Sequence, residues 1–255
     1  MSGSELLSPP FLKRITLLPD KADRDTFPFT TFSDLFGQEF SMTFEAPVTF
    51  FVGENGTGKS TLLEAVAELC GFHAAGGSEY HQLHPSPDDT VSALAPALRP
   101  SWLPKVSKGF FFRSDTFADV ARYIDDTGNA AMHGGRQLHH QSHGESFLNL
   151  FKGRFDTGTR SIFLMDEPEN ALSPMRQLSF LRLLHDWEMS GNAQIIIATH
   201  SPILLSYPGA DIRLFDGNQI SSAAYEEIEH VRVSKAFLSN PKRYLKQLLN
   251  DDKGS

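Results

Sequence analysis

The stretch Gly53-Glu54-Asn55-Gly56-Thr57-Gly58-Lys59-Ser60 decides how this chain reads. It meets the pattern G-x-x-x-x-G-K-[ST] without a mismatch. The apolar run Val48 to Val52 precedes it as a strand. Ser60 to Cys70 follows as a helix, with Leu62, Val66 and Leu69 on one face and Gly71 as its stop. Glycines in such a loop let successive backbone N–H groups curl around phosphate oxygens at a helix N-terminus. Lys59 would reach the β- and γ-phosphates, and the Ser60 hydroxyl would ligate Mg²⁺. Gly53, Glu54, Asn55, Gly56, Thr57, Gly58, Lys59, Ser60 and Thr61 are thus the candidate nucleotide-binding set. From average residue usage the pattern arises by chance in roughly one chain in a hundred of this length. The strand-loop-helix setting is what makes nucleotide binding the expectation.

Two more strand ends carry polar groups. Ile162-Phe163-Leu164-Met165-Asp166-Glu167 puts two carboxylates at the C-terminal end of an apolar run. In open α/β sheets that is the end where ligands bind. Asp166 is suited to hold Mg²⁺, and Glu167 to polarise an attacking water as a general base. Thr199-His200-Ser201-Pro202 ends the next apolar run in the same way. A histidine there reaches a γ-phosphate or a water beside it, although such a residue on its own more often has a hydrogen-bonded structural role.

Buried strands alternating with helices imply a mainly parallel sheet covered on both faces. Strands are expected at Ser161 to Met165 and Ala193 to Ala198, and at the phenylalanine-rich Gly109 to Arg113. Helices are expected at Asp115 to Ile124, from Ser146, and from the Ser173-Pro174 start, the last carrying Leu178, Leu181, Leu184 and Trp187. Asp216-Gly217-Asn218 turns a hairpin between Ile212 to Phe215 and Gln219 to Ala223. Phe11 to Leu18, Glu39 to Phe44 and Val48 to Val52 lack intervening helices and add an antiparallel flank. Residues 71 to 108 read as an insertion with one short helix from Pro87 to Leu98, and 115 to 150 as a reduced helical subdomain. Residues 224 to 255 read as a helical tail broken at Asn240-Pro241. The whole, 1 to 255, is expected to be one domain of α/β class.

Composition narrows the class further. The single cysteine, Cys70, excludes a disulfide framework or a multi-cysteine zinc module. A net charge of −8 gives the molecule no general attraction to nucleic acid or anionic lipid. At 40% apolar and 21% charged residues the chain is a globular sequence rather than a disordered acidic one. No run approaches the ~18 apolar residues of a membrane span, and Met1 to Asp20 lacks a signal-peptide pattern. A cytoplasmic location is the expectation.

The order of these motifs resembles the ATP-binding-cassette ATPases. In that resemblance Gly53 to Ser60 is Walker A, Ile162 to Asp166 is Walker B, and Glu167 falls on the catalytic glutamate. Ala171-Leu172 lies where the D-loop belongs. His200, 34 residues beyond Asp166, falls on the switch histidine. Ser142-His143-Gly144-Glu145-Ser146 is similar to a divergent signature motif, with Ser142 and Gly144 as the residues that would complete a partner subunit's γ-phosphate site. The family implies ATP and Mg²⁺ as ligands, Lys59, Glu167 and His200 in catalysis, Ser60 and Asp166 at the metal, and an ATP-sandwich homodimer. The resemblance covers about residues 30 to 223.

The chain departs from that pattern in places. Gln-Ser-His-Gly-Glu stands where Leu-Ser-Gly-Gly-Gln is usual, and Arg113, Ser114 and Asp115 stand where the Q-loop glutamine belongs. The segment 117 to 141 is much shorter than the helical subdomain by which transporters grip a membrane partner. An ATP-driven switch for a soluble protein or nucleic acid is therefore the first expectation, and a transporter's nucleotide-binding subunit with a membrane partner the second. Asp-Glu-Pro-Glu-Asn-Ala-Leu-Ser-Pro looks most like the stand-alone bacterial ATPases of this superfamily.

Weaker signals remain. His133, His139, His140 and His143 crowd one loop, but no carboxylate or thiolate completes a familiar zinc pattern. Arg232, Lys235, Lys242, Arg243 and Lys246 occur between Val231 and Leu249 with no acid, a run read as a solvated helix face or a nucleic-acid contact. Phe29 and Phe32 lie where the superfamily often stacks adenine, although core packing is the more common use of a phenylalanine.

Overall fold

Strands Val48–Val52 (β3) and Ala193–Ala198 (β7) contain no exposed residue, and they lie side by side in parallel. Burial on both faces is why neither alternates apolar with polar residues. The computed structural model describes residues 8–73, 76–77, 93–116 and 158–250. Its main sheet has the order β5-β6-β7-β3-β8-β9, with β5 Gly109–Arg113, β6 Ser161–Asp166, β8 Asp211–Phe215 and β9 Ile220–Ser222. All of its pairings are parallel except the β8–β9 hairpin. That hairpin turns where expected, with Asp216 Oδ1 accepting from the Asn218 and Gln219 N–H groups.

A second, antiparallel sheet of order β2-β1-β4 forms the N-terminal flank, from Leu12–Leu17 (β1), Ser41–Thr43 (β2) and Leu98–Trp102 (β4). Val48–Val52, expected in this flank, instead runs parallel between β7 and β8 in the main sheet. The strand β4 corrects the sequence reading, which placed these residues in an insertion and at the end of a helix. Among the described residues of that helix only Ala95–Ala97 coils, as one 3₁₀ turn. Pro100 disguised the strand. Proline lacks the N–H of a ladder donor, and β4 tolerates it because it is an edge strand. The register slips between Leu12 and Arg14, and this bulge lets both Leu12 and Ile15 face the core.

Helix α1 (Lys59–Cys70) packs on the main sheet's face toward the antiparallel flank. Leu62 and Val66 join Phe11, Ile15, Phe44 and Phe51 in one core. On the opposite face Trp187 of helix α2 (Pro174–Met189) stacks on Phe163, ring centroids 4.8 Å apart, within the second core. The buried residues of α2 are Gln177, Phe180, Leu183, Leu184 and Trp187, while Leu178 is 51% exposed. A strict three-residue spacing drifts by about 60° per step around a helix of 3.6 residues per turn, so Leu178 ends up on the side away from Trp187. Ser173 sits at the N-cap without a side-chain cap bond. Helix α3 (Pro202–Leu205) is capped, with Ser201 Oγ accepting from the Ile203 and Leu204 N–H groups. The chain then runs into α4 (Glu229–Ser239) and α5 (Pro241–Asn250), broken at Asn240-Pro241 as expected.

One side chain joins the two sheets. Gln194 of β7 is fully buried; its Oε1 accepts from the Phe11 and Leu12 N–H groups, and its Nε2 donates to the Leu12 carbonyl. Losing it would leave buried backbone groups unpaired, at about 1–3 kcal/mol each. Among the described residues no helix is long and apolar enough to cross a membrane.

Candidate functional site

The C-terminal ends of β3, β6 and β7 meet at one rim of the main sheet, and Lys59, Ser60, Asp166, Glu167 and His200 gather there. The loop from β3 into α1 is shaped by backbone only glycine adopts easily. Gly53 has φ +149°, and a Cβ there would lie 2.1 Å from the Phe215 carbonyl oxygen. Gly58 has φ +94°, and a Cβ would lie 2.8 Å from a Leu35 methyl. The segment holding Phe29, Phe32 and Leu35 thus packs against the loop from the apolar side. Phe29 and Phe32 are buried in the core, as the common use of phenylalanine implies.

Lys59, at the start of α1, is only 5% exposed, and its Nζ donates to the Gly53 and Glu54 carbonyls at 2.8 Å each. Burial draws its pKa below the usual lysine value, and the carboxylates of Glu167, Asp166 and Glu54 oppose that shift. Ser60 Oγ donates to Asp166 Oδ1 at 3.1 Å, joining the first turn of α1 to the end of β6. Burial pushes Asp166 up to about 7 against the pull of the Ser60 bond and of Arg113. A buried carboxylate of this kind is costly to ionise until a cation arrives. Among the described residues no group of three or more histidine, cysteine or acidic side chains forms a metal cluster. A hydroxyl and one carboxylate are oxygen donors of the kind Mg²⁺ takes, so Ser60 and Asp166 would hold it.

Glu167 follows Asp166 in a left-handed conformation, φ 48° and ψ 53°, the one non-glycine residue with positive φ among the described residues. Such a backbone costs on the order of 1–3 kcal/mol and tends to mark functional sites. Glu167 Oε1 lies 3.7 Å from His200 Nε2, and its Oε2 accepts from Asn170 Nδ2 at 2.7 Å. Asn170 Nδ2 also lies 3.5 Å from Ser114 Oγ, so the residue at the Q-loop position reaches Glu167 through an asparagine. Arg113 is occupied by Glu64 of α1 and by Asp115.

His200 is held at two points. Its backbone N–H donates to Glu169 Oε1 at 2.6 Å, and its Nδ1 lies 3.5 Å from His230 Nε2. Its Nε2 is buried without a hydrogen-bond partner among the described residues. Burial, with help from Lys59 and His230, lowers its pKa. Glu169, Asn170 and His230 were not singled out from the sequence. The first two sit in the Asp-Glu-Pro-Glu-Asn run, where a polar residue within one turn of Glu167 was the available signal. His230 left none. Ser142 and Gly144, the histidine-rich loop and most of residues 115 to 150 lie outside the described residues, so their placement is untested.

Comparisons with known proteins point to one family. An AAA domain family model described with the AbiEii toxin and a type IV TA system matches residues 152–206, and a second AAA domain model matches 29–87. A Geobacter sulfurreducens protein named as an ABC transporter ATP-binding protein is 29% identical over 168 residues, 59% of this chain and 58% of its own length. The cytochrome c biogenesis ATP-binding export protein CcmA of Rhodopseudomonas palustris is 32% identical over 160 residues, 60% of this chain and 77% of its own length. The structure of CbiO1 from Clostridium perfringens, part of the ABC transporter complex CbiONQ, superposes with a TM-score of 0.54 at 17% identity. It covers 93% of this chain and 99% of its own.

Proposed function

Because the chain belongs to the ATP-binding-cassette ATPase family, we propose that it binds Mg²⁺-ATP and hydrolyses it, with two ATP-bound copies pairing as a switch for a soluble partner. The observation that carries the reading is the 3.1 Å bond between Ser60 and Asp166 beside the buried Lys59, with Glu167 and His200 Nε2, which has no hydrogen-bond partner among the described residues, on the same rim. Lys59 gives up its two loop carbonyls for the phosphates and balances their charge. Ser60 and Asp166 hold the metal, which when bound neutralises charge on the phosphate oxygens. Glu167 orients the attacking water and takes its proton, held in place by Asn170. His200 Nε2 has hydrogen-bonding capacity to offer the terminal phosphate or that water. Gly53 to Thr61 surround the phosphates, and Ser142 and Gly144 complete the site of the second copy.

Phosphate release by the purified chain with Mg²⁺-ATP tests the chemistry, and sizing with and without ATP tests the pairing. No turnover above a Lys59→Ala control would overturn the first, and an unchanged elution volume for a hydrolysis-blocked variant the second. The names of the relatives favour a second reading, the ATP-binding subunit of a membrane transporter. The short 117–141 segment supports the soluble partner instead. Co-purification with an integral membrane protein would decide for the transporter.

A further inference from the structure

His230 opens the first turn of α4 and stands edge-on to His200, ring centroids 4.9 Å apart and planes at 88°. Its Nε2 lies 3.1 Å from Glu54 Oε1 on the phosphate loop and 3.5 Å from His200 Nδ1. One nitrogen therefore faces both groups. A carboxylate can only accept, so His230 Nε2 carries a proton and gives it mainly to Glu54. A second proton on His200 Nδ1 would face that N–H, whereas a lone pair there receives its weaker, longer arm. His200 is surrounded by Lys59, Glu167, His230 and Glu54, and burial as the largest cause lowers its pKa, so at neutral pH its ring holds a single proton. With Nδ1 as the acceptor, that proton sits on Nε2, the buried nitrogen 3.7 Å from Glu167 Oε1.

We propose that His230 is a positioning residue for ATP hydrolysis. From α4 it fixes His200 as the Nε2–H tautomer facing Glu167 and the terminal phosphate, and it ties that helix to the phosphate loop through Glu54. The inference rests on the ATPase reading of the site. It extends that reading by making turnover depend on where α4 sits. Glu169 fixes the His200 backbone and His230 fixes its ring, so the two constraints come from different elements.

The test has two independent readouts. In nitrogen-resolved NMR of the histidine-labelled, nucleotide-free chain, His200 is expected as the Nε2–H tautomer, with Nδ1–H appearing in His230→Ala. His230→Gln, which keeps a donor at similar reach, is expected to restore the wild-type signal. In steady-state kinetics, His230→Ala is expected to lower kcat about tenfold with KM within about twofold, and His230→Gln to recover most of the loss. In a His200→Ala background, His230→Ala is expected to add nothing, since the residue acts through that ring. An Nδ1–H tautomer in the wild type, an unchanged tautomer in His230→Ala, or an equal loss in both backgrounds would overturn the proposal. A wild-type chain that hydrolyses no ATP would overturn the ATPase reading, while the ring-nitrogen spectra would still decide the role of His230. If His230→Ala does not fold, the tautomer of the wild-type chain decides, since an Nδ1–H signal for His200 there overturns the proposal by itself.

Discussion

The two sides of the proposed catalytic rim are held in different ways. Lys59, Ser60 and Asp166 sit on regular elements, α1 and the end of β6, and each already has a partner. Glu167 and His200 sit just beyond the strands, with side chains 34% and 24% exposed and a 3.7 Å gap between them, oriented by Asn170, Glu169 and His230. In the function proposed above, the first side is the binding half, built into the sheet-helix junction, and the second is the chemical half, whose geometry depends on neighbours from other loops. If this division is right, binding and hydrolysis separate by residue.

Lys59→Ala tests the binding half most severely. Two charge-assisted hydrogen bonds at about 1.5–3 kcal/mol each imply at least a hundredfold weaker ATP binding, read by calorimetry, and no measurable turnover. ATP affinity equal to wild type would break the division at its base.

Glu167→Gln is the corresponding test of the chemical half. Removing a positioned base should lower turnover by about 10²–10⁴-fold while ATP affinity holds, since Lys59, Ser60 and Asp166 remain. Slow hydrolysis should also let the ATP-bound pair accumulate on a sizing column. Near-normal turnover would move the base elsewhere, with His200 as the first suspect.

Asp166→Asn sharpens the comparison through stability. Its carboxyl is raised, so between the unfolded value and about 7 the native state holds a proton that the unfolded state has lost. Folding stability from this group therefore falls as pH rises across that window. The neutral variant should melt higher without ligand at pH 8, where 1 kcal/mol corresponds to about 2–4 °C for a chain of this size. Its Mg²⁺-dependent ATP affinity should drop at least about tenfold. A lower melting point would mean that the Ser60 bond outweighs the buried charge.

The smallest effect is expected at Asn170. Asn170→Ala removes one hydrogen bond to Glu167 and should cost about tenfold in turnover with ATP affinity unchanged. Asn170→Asp should cost more, because it sets a second carboxylate against Glu167. Unchanged turnover in both would show that Glu167 needs no support from that side.

Much of this site was legible because its residues are close in sequence to the strand ends that carry them. Gly53 to Ser60 is one contiguous loop, Asp166 and Glu167 end one apolar run, and His200 ends the next. The parallel sheet was legible for a similar reason: β6 and β7 are largely apolar runs next to helices, which calls for cover on both faces; β3, read with the antiparallel flank, belongs to that parallel sheet instead. The edge strand β4 was missed because proline breaks the local pattern while edge position excuses it. Leu178, Leu181, Leu184 and Trp187 share the expected helix, but spacing by threes drifts around it, so Leu178 is exposed while Trp187 is buried.

By itself the sequence determined the phosphate loop, the acidic pair, the parallel core and the hairpin at Asp216 to Asn218, since each is written in neighbouring residues with a fixed local geometry. Only the tertiary structure decided which distant side chains finish these units. Gln194 reaches back some 180 residues to pin β1 to the main sheet. Ser114 meets Asn170 across 56 positions. His230 comes from the last third of the chain to stand between His200 and Glu54. Such pairings follow from how strands and helices stack, and chain spacing carries no record of which loops that stacking brings within hydrogen-bond reach.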